Sequence, residues 1–212
     1  MPNPKSLPHT FFEFATDVVI VGDVAWVIGA SHGKHELFTE EIRGLLVPMD
    51  LHTGEVLSPV VIAPKMDVHT QSAFWGATYH PAGVVVTGYA CDATCTNYRI
   101  VTSLYDAAGA LLWYQSDAAG PGIRYGRDVA LDSQGRAIIG GSVPDFGAQR
   151  GFVFAHTVKI NEALPLFEHW FPASSKPSEV LGVLVNDFDR LFAAGFITAN
   201  GETHSQITLI SG

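Results

Sequence analysis

The chain is poor in charge. Only 16% of its 212 residues are charged, and acids outnumber bases 21 to 12, for a formal charge of −9. So acidic a balance argues against nucleic-acid binding, where a basic face supplies most of the affinity. The same balance disfavours docking on anionic lipid. No run reaches the ~18–20 apolar residues of a membrane helix, so membrane insertion is not expected. The opening residues, MPNPKSLPH, hold no apolar stretch of the signal-peptide kind. That fits a cytoplasmic chain, one that starts after a leader, or part of a longer protein. Absent too are the P-loop, GxGxxG before a helix, and HExxH. Serine, histidine and aspartate occur, but nothing orders them into a triad. No cofactor is expected, and the balance leans away from an enzyme.

Cysteine is equally scarce. The two present, Cys91 and Cys95, sit in YACDATCTN. They are either two free thiols in a loop or a small disulfide, which would imply an oxidising compartment. A structural zinc site needs four ligands, and a CxxxC pair offers two.

What the chain has instead is apolar and turn-rich: 47% hydrophobic residues, 21 Gly and 12 Pro. This is the composition of one globular all-β domain. A unit recurs four times: apolar run, tight turn, second apolar run ending in Gly, polar loop, third run, turn, fourth run. The anchor glycines are Gly29, Gly88, Gly141 and Gly195, spaced 59, 53 and 54 residues apart. A steady period of this size, filled with strands, points to a β-propeller of about four four-stranded blades. Blades are expected at about 16–58, 73–115, 126–170 and 179–212 of a single domain spanning 1–212.

First strands are expected at 17–21, 75–79, 128–131 and 181–185, and second strands at 25–28, 84–87, 137–140 and 191–194. Third strands are expected at 45–49, 99–104, 152–158 and 206–210, and fourth strands at 55–57, 110–114 and 164–167. The intervening turns, Gly22-Asp23, HPAG, DSQG and NDFD, are hairpin chemistry. The segment 34–44 reads as a polar loop. The last unit lacks a fourth strand, and TFFEFA at 10–15 is β-prone and unassigned. Pairing 10–15 into the last blade would close the ring and remove its open edges. The alternatives are a piece of a larger ring, or a half-ring that pairs with a second copy.

The stretch RDVALDSQGRAIIGGS at 127–142 resembles bacterial propeller repeats of the SBBP type. YRIVTSLYDAAGALLWYQ at 98–115 continues the resemblance and is also similar to the outer strands of PQQ-like repeats. The resemblance implies a binding or scaffolding role at the cell surface or outside the cell. It carries no catalytic residue, because the repeat motif contains none.

In propellers the second-to-third loops and the blade connections share one face. Here they are the longer, more varied segments, so any site is expected there. Tyr89, Tyr98 and Tyr125 fall at these loop ends, near Arg99, Arg124, Arg127 and Arg150. Arginine forks suit carboxylate, phosphate or sulfate, and tyrosine offers a flat surface for sugars or peptides. A glycan or protein ligand, or a homo-oligomeric partner, fits this pattern. Equally, these arginines can simply tie loops together through Asp92, Asp117, Asp128 and Asp145. Asp17 and Asp128 hold matching places near the ring axis, a weak candidate pair for a hard cation. His32 and His35 in SHGKHE are a weaker one for zinc or copper. A glycan-active enzyme at the ring mouth is the alternative function.

Overall fold

The computed structural model describes residues 10–33, 41–63, 71–117, 120–145, 148–157, 167–171 and 177–210. Every helix-or-strand element among them is a strand. Blade 1 is β1 (Thr10–Val21), β2 (Val24–Gly33), β3 (Glu41–Asp50) and β4 (Val61–Ile62). Blade 2 is β5 (Gln71–His80), β6 (Gly83–Cys91), β7 (Asn97–Tyr105) and β8 (Leu111–Ser116), with β9 (Gly120–Pro121) also on β7. Blade 3 is β10 (Tyr125–Leu131), β11 (Arg136–Asp145), β12 (Ala148–Thr157) and β13 (Phe167–Trp170). Blade 4 is β14 (Ser178–Val185), β15 (Leu191–Ala199) and β16 (Glu202–Ile210). Each blade is an antiparallel meander in chain order, and each packs on the next. The chain is an all-β propeller fold of four blades, set in an open arc.

The recurring glycine has a steric cause. Every first strand carries a bulge, at Thr16, Trp75, Arg127 and Leu181. Each bulge presses a first-strand carbonyl onto the second strand. A Cβ at Gly29, Gly88, Gly141 or Gly195 would lie 1.9–2.1 Å from the oxygen of Phe14, Ala73, Tyr125 or Glu179. Only glycine fits so close a backbone approach.

The turns at the other end share a second device. Asp106 Oδ1 accepts from the amides of Ala108 and Ala110, and Asp132 Oδ1 from those of Gln134 and Arg136. Asn186 Oδ1 does the same for Phe188 and Arg190. These side chains act as turn-forming acceptors, which is why Asp and Asn recur at this place.

Three apolar clusters weld the blades. Trp26, Ile28 and Leu46 of blade 1 meet Phe74, Val84 and Val86 of blade 2. Val85, Ile100 and Leu104 of blade 2 meet Val129, Ala137 and Ile139 of blade 3. Ile138, Val153 and Ala155 of blade 3 meet Val183, Leu191 and Ala193 of blade 4. Each sheet is therefore buried on both faces wherever it has two neighbours, and its second strand is continuously apolar.

The expected ring closure does not occur. Residues 10–15 are the first half of β1 and pair with β2, Thr10 with Gly33 and Phe14 with Ala30. β2 runs on past Gly29 to Gly33, so a local partner is available at small loop-closure cost. The outer side of β16 carries no fourth strand among the described residues. The fourth strand of blade 1 also differs from 55–57. Only an isolated bridge joins Val56 to Met49, and β4 lies at Val61–Ile62, beyond Pro59. Two segments expected as long loops are ladder instead: β11 and β12 pair out to Asp145 and Ala148, and β15 and β16 out to Ala199 and Glu202. Of the segment 34–44, residues 41–44 are strand, and 34–40 lie outside the described residues. The expected strand at 164–167 is described only at Phe167, and Val158 also lies outside.

Candidate functional site

The bulges set the inner geometry. Each pushes one extra first-strand residue out of the ladder, and in blades 2 and 3 these residues meet. The Arg127 guanidinium stands over the Trp75 ring at 4.7 Å and the Tyr125 ring at 4.1 Å. Its Nε donates to Oε1 of Glu179, a buried carboxylate on β14. One arginine thus links blades 2, 3 and 4 through two rings and an ion pair.

A second group lies between blades 2 and 3. Asp117 Oδ1 accepts from the Ile100 amide at 2.7 Å, and its Oδ2 faces Arg124 Nη1 at 3.5 Å. Burial pushes the Asp117 carboxyl up to about 6, against the pull of the Ile100 amide and of Arg124 and Arg99. Arg99 Nε, Arg124 Nε and Trp75 Nε1 are buried donors with no acceptor among the described residues. Arg99 and Arg124 lie near the loop ends of β7 and β10, and Trp75 lies midway along β5; buried donors are ordinarily paired, so each is unusual.

The remaining candidates disperse. Tyr89 and Tyr98 pair with each other, ring centroids 5.5 Å apart, and burial raises the Tyr89 hydroxyl. Arg150 Nε donates to the Phe171 carbonyl at 2.8 Å and its guanidinium lies over Trp170, toward the outer strand of blade 3. Of the expected arginine partners, Asp117 alone is seen in that role. Asp92 instead caps its own loop through Thr94, Thr96 and Asn97, which hold its carboxyl well below the usual range. The Asp145 side chain lies outside the described residues.

Asp17 and Asp128 tie blades together. Asp17 Oδ2 accepts from the Ala77 amide of blade 2 at 2.9 Å, and Asp128 Oδ2 from the Val183 amide of blade 4 at 2.8 Å. Burial raises the Asp128 carboxyl and Asp17 adds to it, while the Val183 and Val129 amides oppose. Among the described residues no three His, Cys, Asp or Glu side chains gather as metal ligands. His32 lies on β2, and His35 falls outside the described residues. Cys91 and Cys95 are joined by a disulfide, their Cα atoms 5.0 Å apart.

Trp75 and Glu179 were not singled out from sequence. Trp75 was legible: shifting the repeat alignment by one residue brings Trp75 and Arg127 to the same bulge position. Glu179 had no local signal. A buried ion pair elsewhere, Glu41 with Arg43 on β3, anchors the Ala63 carbonyl and also escaped sequence reasoning.

No family model and no curated protein matches the chain. Among solved structures it is similar to an acylaminoacyl peptidase of Pyrococcus horikoshii, with TM-score 0.50 and 10% identity over 96% of this chain and 34% of that one. It is also similar to sucrose-6-phosphate hydrolase of Lactobacillus gasseri, with TM-score 0.48, 12% identity, and coverage of 86% and 41%. A third is the β-propeller domain of the Trilobed protease of Pyrococcus furiosus, with TM-score 0.44, 10% identity, and coverage of 95% and 59%. The chain spans less than two thirds of each of these structures, and at such identities the likeness concerns the fold alone.

Proposed function

We propose that the protein is a non-catalytic binding module that takes an anionic ligand, a sulfated or carboxylated glycan or an acidic peptide, at the loop end of blades 2 and 3. The observation that supports this is the pair of buried donors without acceptors there, Arg99 Nε and Arg124 Nε. Leaving a buried donor unmade costs about 1–3 kcal/mol, more for a charged group, and a ligand oxygen would remove that cost. Guanidinium donors suit sulfate or carboxylate. The net charge of −9 makes a local cationic site the more selective, since the rest of the surface repels anions.

The test is a panel of sulfated and carboxylated oligosaccharides with their neutral counterparts. Binding is expected to the anionic members, weakened at least about tenfold by Arg99→Ala or Arg124→Ala. Arg127 is left intact, because it holds three blades together. Equal binding of neutral and anionic members, or no effect of either substitution, would sink the proposal.

A further inference from the structure

The two ends of the arc are unlike each other and fit each other. In blades 1 to 3, one face of the sheet packs on the next blade; its central residues in blade 3 are Ile138, Val153 and Ala155, all buried. By strand register the same places in blade 4 are Phe192, Ile207 and Leu209. There Ile207 is 78% and Leu209 56% exposed. The opposite face packs on the preceding blade through Val129 in blade 3 and Val183 in blade 4, 3% and 8% exposed. Its counterpart in blade 1 is Val18, 55% exposed, with Ile20 at 59% beside it. An open pocket of about 170 Å³ lies on this face, walled by Val27, Val47 and Met49. Isolated exposed apolar residues are ordinary, but two whole sheet faces of this kind are not.

The inner strands carry a second mark. After each bulge comes Asp17, Gly76, Asp128 or Gly182, acid and glycine by turns. An Asp reaches forward to an amide of the next blade, as Asp17 does to Ala77 and Asp128 to Val183. A Gly lets its strand lie close on the next: a Cβ on Gly76 would come within 2.5 Å of the Asp128 Cα. Blade 4 ends on Gly182 and blade 1 begins with Asp17. A junction from blade 4 to a blade 1 therefore repeats the existing junction from blade 2 to blade 3.

We infer that the free face of blade 4 packs on the free face of blade 1 in a second copy of the chain. Two such junctions, related by a twofold axis, close a ring of eight blades, inside the roughly four-to-eight range of propellers. The occupant is a second copy because the interface is one the chain already makes three times, and both halves of a fourth are on its surface. Nothing here depends on ligand binding.

Sedimentation of the 212-residue chain at tens of micromolar tests this. The expected species has twice the 22.8 kDa of one chain. Ile207→Glu and Val18→Glu each halve that mass while leaving the circular dichroism of the strands unchanged, since both side chains already face water. Ile207→Val keeps the doubled mass. An equimolar mixture of the two Glu variants regains part of it, because one junction in the mixed pair is unmutated on both sides. A single-chain mass, a doubled mass indifferent to Val18→Glu, or growth into open polymers would each overturn the inference.

Discussion

At Gly141 the backbone decides what residue is possible. The Tyr125 carbonyl stands 2.1 Å from where a Cβ would be, so Gly141→Ala forces the bulge to move. Chemical denaturation is expected to show a loss of about 3 kcal/mol or more. Gly54 is the control, with φ of +70° but nothing within 4 Å of an added Cβ. Gly54→Ala is expected to lose only about 1 kcal/mol, the cost of a left-handed conformation. Asp117 offers a test of a different kind. Its folded carboxyl titrates near 6, above its ordinary 3.8, so the folded state holds the proton more tightly. Stability from this group is therefore full below about pH 4 and declines as the pH rises through 6, by an amount on the order of 2 kcal/mol. Asp117→Asn keeps an acceptor for the Ile100 amide and removes the titration. Stability measured from pH 4 to 7 is expected to flatten in the variant; an unchanged slope would place the titration elsewhere.

The element to test is the junction between blades 3 and 4. Asp128 bonds the Val183 amide across it, and the apolar cluster of Ile138, Val153, Val183 and Leu191 lies behind. Removing the carboxylate leaves a first-strand amide without its acceptor. Asp128→Ala is expected to cost about 1–3 kcal/mol, and Asp128→Asn less, because its amide oxygen can still accept. Hydrogen exchange places the effect: protection of the Val183 amide should fall in Asp128→Ala while that of β2 amides holds. Strand order was legible at this scale because hairpin signals are local. Asp, Asn and Gly turns and short apolar runs fix which neighbours pair, whatever the rest of the chain does. Strand ends were not, since the ladders of β11 and β12 run on through Ser142 to Asp145, polar and Pro-containing sequence that reads as loop.

For the molecule as a whole, the sequence carries the repeat but not the closure. TFFEFA is equally suited to β16 or to the far half of β2, and the bulge at Thr16 conceals that residues 10–21 form one strand. The site was half legible for the same reason. Arginine and tyrosine identify the loop end. What each arginine faces depends on contacts such as Arg127 with Glu179, 52 residues apart.

The alternation of Asp17, Gly76, Asp128 and Gly182 bears on how such a chain changes in length. An aspartate needs an amide ahead of it, and a glycine makes room for the strand ahead. Deleting or duplicating one blade would set two acids, or two glycines, side by side at some junction. Duplicating two at once preserves the alternation. Variants of this chain lengthened by two blades are therefore expected to keep its stability in chemical denaturation, and variants lengthened by one to lose part of it.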